Sequence, residues 1–225
     1  MQEAVHLKSI SQLHKVLGLG KPLHPLITVI RLDNNINSDF GDIQLNTDLY
    51  FITVKENLDD ACIYGRNAFD FDEGTMIFIA PGQIMATSNS ANANVSGWTI
   101  AFHPNLILKS HLAEAIHSYN FFNYENYEAL HLSDKEKQNL EEYVSRIEEE
   151  INQNIDRHSQ ELIIQNIEII LKYARRFYER QFATRTNQHK DHISAFESFL
   201  RNYFQSNQQI ENGLPSLEQC GAALN

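Results

Sequence analysis

"SGWTIAFHPNLI", residues 96–107, is where the chain changes character. Over 96–102 the side chains alternate. Trp98, Ile100 and Phe102 share one face of an extended strand, and Gly97, Thr99 and Ala101 take the other. The spacing predicts a strand whose aromatic face lies in a core. Pro104 has no amide donor to lose and suits the first turn of a helix, which predicts a helix through NLILKSHLAEAIHSY, 105–119. Strand signals dominate before this junction, and helix signals after it.

Upstream, "HPLITVIRL" (24–32) runs through β-branched Ile27, Thr28, Val29 and Ile30, with Pro25 blocking helix at its entry. "LYFITVK" (49–55), "ACIYG" (61–65) and "TMIFIAPG" (75–82) follow, separated by turn-rich DNNINSD, ENLDD, NAFDFDEG and SNSANANVSG. Short strands at this spacing predict an antiparallel sandwich or barrel. Downstream, Ser133 and Glu136 form a Ser-x-x-Glu capping box, after which Leu140, Tyr143, Val144, Ile147 and Ile151 make one helical stripe. A longer helix follows the break at 154–158. It carries Ile163, Ile167, Ile170, Ala174 and Phe177, with Leu162, Ile169 and Tyr173 widening its apolar face. Such a surplus reads as a helix–helix dimer seam through Ile163, Ile167, Ile170, Ala174 and Phe177; cover by the sheet explains it nearly as well. A further helix is expected over 191–204, then a polar linker. The chain closes on "LPSLEQCGAALN" (214–225), where Ser216 and Gln219 make a second capping box.

Composition narrows the function. The 225 residues hold 18 basic and 29 acidic side chains, a formal net charge of −11, which repels phosphate backbones. Cys62 and Cys220 are far apart, which argues against a disulfide framework and suits a reducing cytoplasm. No stretch reads as a signal peptide or a membrane span. The ten histidines include none between His24 and His103, where the strands lie, so no metal site and no cofactor are expected there. The nine glycines form no phosphate or dinucleotide loop. The run Glu148–Glu150 reads as a solvated helix face, and no catalytic residues stand out.

"YGRNAFDFDEGTMIFIAPGQ" (64–83), followed by "SGWTIAFHPNLI", resembles the sensor domain of AraC-family transcription regulators. "KPLHPLITVI" (21–30), "YEALHLSDKE" (127–136) and "HSQELIIQNIEIILKYARRFYERQF" (158–182) fit the same family. The resemblance covers nearly the whole chain and implies an α+β fold. A leader and cupin-like antiparallel barrel would occupy 1–103, a helical dimerisation region 104–206, and a linker with the first helix of a helix-turn-helix 207–225. The turn, the recognition helix and the second unit would be missing. The implied protein is a homodimer that senses a small-molecule effector, binding DNA only through complete helix-turn-helix units. Its effector pocket would draw on Tyr50, Tyr64, Arg66 and Trp98, aromatic and cationic groups able to stack on or pair with a polar ligand; core packing accounts for Tyr50 and Trp98 equally. Catalytic cupins bind a metal through His and Glu, and this chain departs from that pattern with Met, Ala, Thr or Ser at the corresponding positions. Two other readings remain: a cupin-like isomerase or dioxygenase with an unusual metal site, and a stand-alone dimerising partner protein.

Overall fold

The computed structural model describes residues 5–32, 44–56, 62–64, 67–69, 74–86, 96–122, 130–153, 156–182, 196, 199–204, 206 and 213–222. The chain divides into two compact units, Met1–Gln181 and Phe182–Asn225. The first is a mixed α+β structure. Its strands are β1 (Val5–Leu7), β2 (Ile27–Leu32), β3 (Gln44–Thr47), β4 (Tyr50–Glu56), β5 (Cys62–Tyr64), β6 (Asn67–Phe69), β7 (Thr75–Ile79), β8 (Ile84–Ala86), β9 (Ser96–Phe102) and β10 (Leu130–His131). Five of them form an antiparallel sheet in the order β10-β7-β4-β9-β2. A second sheet runs β1-β3-β8, with β1 parallel to β3, and β5 and β6 form a two-stranded ribbon. Among the described residues these sheets share no paired strand, and no closed barrel forms.

The strand at 96–102 occupies the predicted residues. It lies between β2 and β4, where every backbone group can find a ladder partner. At its start Gly97 has φ +126°, and a Cβ there would stand 2.1 Å from the Val54 carbonyl oxygen. Only glycine allows β9 to approach β4 so closely.

The helix expected over 105–119 is broken instead. It becomes a 3-10 turn at Pro104–Leu106, the short helix α2 (Leu112–Ala115) and further 3-10 turns at Ile116–Ser118 and Asn120–Phe122. Ser110 and Ser118 hydroxyls donate to the carbonyls of Ile107 and Ala115, both at 2.7 Å, in competition with helical bonding. The broken path lets Leu106, Ile107, Leu112, Ile116, Tyr119, Phe121 and Phe122 all reach one core.

The N-terminal segment, which sequence left as a leader, contributes β1 and the helix α1 (Ile10–Val16). Ser9 Oγ accepts the Gln12 amide at 3.3 Å, and Ile10 and Leu13 are buried.

Two long helices follow, α3 (Asp134–Asn152) and α4 (Arg157–Phe182). Helix α3 starts at the predicted cap, where the Ser133 amide donates to the Glu136 carboxylate at 2.9 Å. At the start of α4, Asp156 accepts the amides of His158 (2.7 Å) and Ser159 (2.8 Å). Those bonds, the Ser159 amide foremost, hold the Asp156 carboxyl below its usual range. In α3, Leu140, Val144, Ile147 and Ile151 point into the core as the stripe predicts, and Tyr143 is half-buried.

The five residues of the expected dimer seam lie within the core of a single chain. Ile163, Ile167, Ile170 and Ala174 are fully buried and Phe177 nearly so, all within the core that also holds the sheet residues Ile52, Trp98, Ile100 and Phe102. Among the described residues of α4 the large apolar side chain left in solvent is Leu162, with Ile169 and Tyr173 half-buried.

In the second unit, residues 199–204 are helical and the Tyr203 hydroxyl donates to the Gly213 carbonyl at 3.0 Å. Helix α5 (Leu217–Ala222) carries both halves of its predicted capping box: the Gln219 amide donates to Ser216 Oγ at 3.2 Å, and the Ser216 amide to Gln219 Oε1 at 2.8 Å.

Candidate functional site

The register divides the five-stranded sheet into two chemically different faces. On one, Ile27, Tyr50, Ile52, Val54, Met76, Trp98, Ile100, Phe102 and Leu130 join the core shared with α3 and α4. The opposite face carries the alternating residues Thr28 and Ile30 of β2, Phe51 and Thr53 of β4, Thr75, Ile77 and Ile79 of β7, and Thr99 and Ala101 of β9. All nine are buried, four are threonines, and none joins the helix-side core.

Tyr50 and Trp98 both lie on the helix side. Tyr50 stacks on Phe102 with ring centroids 5.1 Å apart and meets Phe122 edge-on at 5.2 Å; burial pushes its hydroxyl pKa up. Trp98, opposite Val54, is buried in the same core. Packing is therefore the role of both, and neither reaches the threonine face. Tyr64 ends β5, its side chain lying outside the described residues, and Arg66 lies outside them altogether. Of the four expected effector residues, Tyr50 and Trp98 share one core, and the other two side chains lie outside the described residues.

The threonine face has its own connections. Thr53 and Thr99, directly opposite on β4 and β9, place their hydroxyl oxygens 3.1 Å apart in a buried setting. At the β2 end, His14 Nδ1 lies 2.6 Å from the Gly20 carbonyl oxygen. A carbonyl can only accept, so Nδ1 carries the proton. In the neutral ring Nε2 is then the acceptor of the Thr28 hydroxyl, 2.9 Å away. The pattern was visible in sequence as a threonine at alternate positions of three strands (Thr28, Thr53, Thr99), but only register shows that they meet.

On the helix side the sheet is bolted to α3 by charge. Arg31 donates from Nε to Glu148 at 2.8 Å and from Nη1 to Glu141 at 2.5 Å, and its Nη2 also meets Glu148. The Glu148 contact is the main reason the Arg31 pKa is raised. Glu148 is thus an anchor of the sheet, not part of a solvated run. Lys137 spans Glu56 at 3.3 Å and Asp134 at 2.9 Å. Arg180 near the end of α4 reaches Glu136 at 3.0 Å and the His131 carbonyl at 3.2 Å, tying α4 to β10 and α3.

Among the described residues, no three His, Cys, Asp or Glu side chains gather to hold a metal ion, and no helix is long and apolar enough to cross a membrane. No family model matches the chain, and no curated protein matches it.

Proposed function

We propose that this chain is the effector-sensing and dimerisation region of an AraC-type transcription regulator, acting in the cytoplasm as a homodimer and not as an enzyme. The observation that carries the reading is the order of parts. An antiparallel sheet is backed by two long helices, and a separate unit then ends in a helix capped at both Ser216 and Gln219. In this reading the β10-β7-β4-β9-β2 and β1-β3-β8 sheets are the walls of a cupin-like barrel, with the threonine face turned to its interior. The helices pair two subunits, and α5 is the first helix of a helix-turn-helix.

With the inner stripe of α4 consumed by the core, subunit pairing falls to its outer line, Leu162, Ile169 and Tyr173, beside Tyr143 of α3, whose ring lies 5.8 Å from Tyr173.

The test is a fusion of all 225 residues to a monomeric DNA-binding module that occupies its operator only as a dimer. Repression of a reporter well beyond that of the module alone is the expected result. A soluble fusion that represses no better than the bare module overturns the proposal.

A further inference from the structure

Residues 17–26 carry the chain from α1 to β2. Of 18–25 only His24 is buried, at 5% exposure, while Leu23 beside it stands 64% exposed. The segment is tied down by imidazole. Among the described residues, Gly20 to Pro25 form two hydrogen bonds: the Gly20 carbonyl accepts from His14 Nδ1 at 2.6 Å, and His24 Nδ1 accepts the Leu26 amide at 3.1 Å. The Leu26 carbonyl in turn accepts the His103 amide at 2.8 Å, one step before Ile27 and Phe102 open the β2–β9 ladder. The buried ring of His24 thus holds the entry to an edge strand of the five-stranded sheet.

The two histidines answer a proton differently. His14 already carries hydrogen on Nδ1, so a second proton goes to Nε2, which faces Thr28 Oγ1 at 2.9 Å. A hydroxyl can turn and accept, so both His14 contacts survive. In His24 the Nδ1 atom accepts an amide, so the neutral ring carries its hydrogen on Nε2 and an incoming proton must land on Nδ1. Two donors would then face each other, and a charge would be enclosed in a buried setting. The charged and titratable groups of the elements that meet here are His14 and Lys15 of α1, Lys21, His103 after β9 and, at the far end of β2, Arg31. None of them acts on His24, whose lowered pKa has burial as its cause.

We propose that residues 21–26 are an acid-released strap: protonation of His24 frees them and loosens the start of β2, while His14 keeps its hold on Gly20 and Thr28. The strap is independent of the sensor reading above. A released ring takes up its proton near the ordinary value of about 6.5, and a strapped one only at lower pH. The strap is therefore fully favoured above pH ~6.5 and weakens as pH falls through that value.

Amide hydrogen exchange of the full chain, followed by NMR and corrected for intrinsic rates, reads the strap directly. Between about pH 7.5 and about pH 5.5, protection of the Leu26 and His103 amides should fall about threefold or more. Ile52, on β4 inside the sheet, should keep its protection. His24→Asn keeps an acceptor near the place of Nδ1 but does not titrate, and should hold Leu26 protection level across this range. His24→Leu removes the acceptor and should leave Leu26 weakly protected throughout. Unchanged Leu26 protection in the wild type overturns the strap, as does an equal loss in His24→Asn. A loss that extends to Ile52 marks general acid unfolding and also overturns it. The wild-type ring is a readout that needs no variant: its nitrogen shifts should report hydrogen on Nε2 alone at about pH 7.5, and hydrogen on Nδ1 there overturns the proposal.

Discussion

The two faces of the five-stranded sheet are made by the same strands and do opposite things. The helix-side face is largely aromatic and aliphatic, with Ile27, Ile52, Ile100 and Phe102 fully buried, and is clamped by Arg31 and Lys137 to α3. The other face alternates Thr with Ile and Phe and takes no part in the helix-side core. The helix side carries the main packing, and the other side carries the Thr53–Thr99 hydroxyl pair. A single strand such as β9 serves both, through Phe102 on one side and Thr99 on the other.

Mutation and pH test this division of the sheet. The largest effect belongs to the helix side. Phe102→Ala should cost about 3–5 kcal/mol in chemical denaturation, because Phe102 is fully buried and stacked on Tyr50. A loss below about 1 kcal/mol would show that the core is not where the packing places it. Gly97→Ala comes next: its Cβ collides with the Val54 carbonyl at positive φ, so a loss of about 2–4 kcal/mol is expected, with the damage confined to the β4–β9 pairing.

Arg31→Met should cost about 1 kcal/mol or less, since the Arg31 side chain is 38% exposed and its ion pairs are screened. The difference from wild type should shrink in high salt, and a salt-independent loss would mean that stem packing dominates.

His24 supplies a pH signature. Its Nδ1 accepts the Leu26 amide at 3.1 Å, and burial lowers its pKa below the ordinary value of about 6.5. A base whose folded pKa is depressed stabilises the fold fully above the unfolded value, and that contribution is lost as pH falls through about 6.5 towards the folded pKa. The melting profile of His24→Leu should therefore be flatter than wild type below pH ~6.5; identical slopes would remove His24 from the account. Smallest of all, the double change Thr53→Val with Thr99→Val removes both partners of one hydrogen bond and should shift stability by no more than ~0.5 kcal/mol. A large loss there would make the threonine pair a structural element and end its separation from the core.

How much of this was legible in the sequence depended on the length of the signal. Residues 96–102 alternate over seven positions, and the strand occupies them all. The caps at Ser133 and Ser216 are local chemistry, and both form. Strands of two to four residues, such as β1, β3, β6, β8 and β10, are too short to show a period, and β6 lies inside a stretch that reads as a turn. The helix expected after Pro104 is broken, and its apolar residues reach a core made by both the sheet and the long helices. The stripe on α4 is apolar as expected and buried within the chain, and periodicity shows that a face is covered and not by what. The aromatic residues chosen for a ligand fell on the core side for the same reason, and the threonines that face the other way are unremarkable one at a time.

The Arg31 clasp carries one further consequence, for synthesis. Its partners Glu141 and Glu148 lie 110 and 117 residues downstream. At a synthesis rate of roughly 5–20 residues per second, β2 waits on the order of ten seconds for the helix that covers it. During that interval its apolar residues Ile27 and Val29 have no lid, and the nascent chain is a candidate for chaperone capture or for pairing with another ribosome's product. Slowing translation between residues 32 and 134 should therefore raise aggregation of this protein, while leaving the finished fold unchanged.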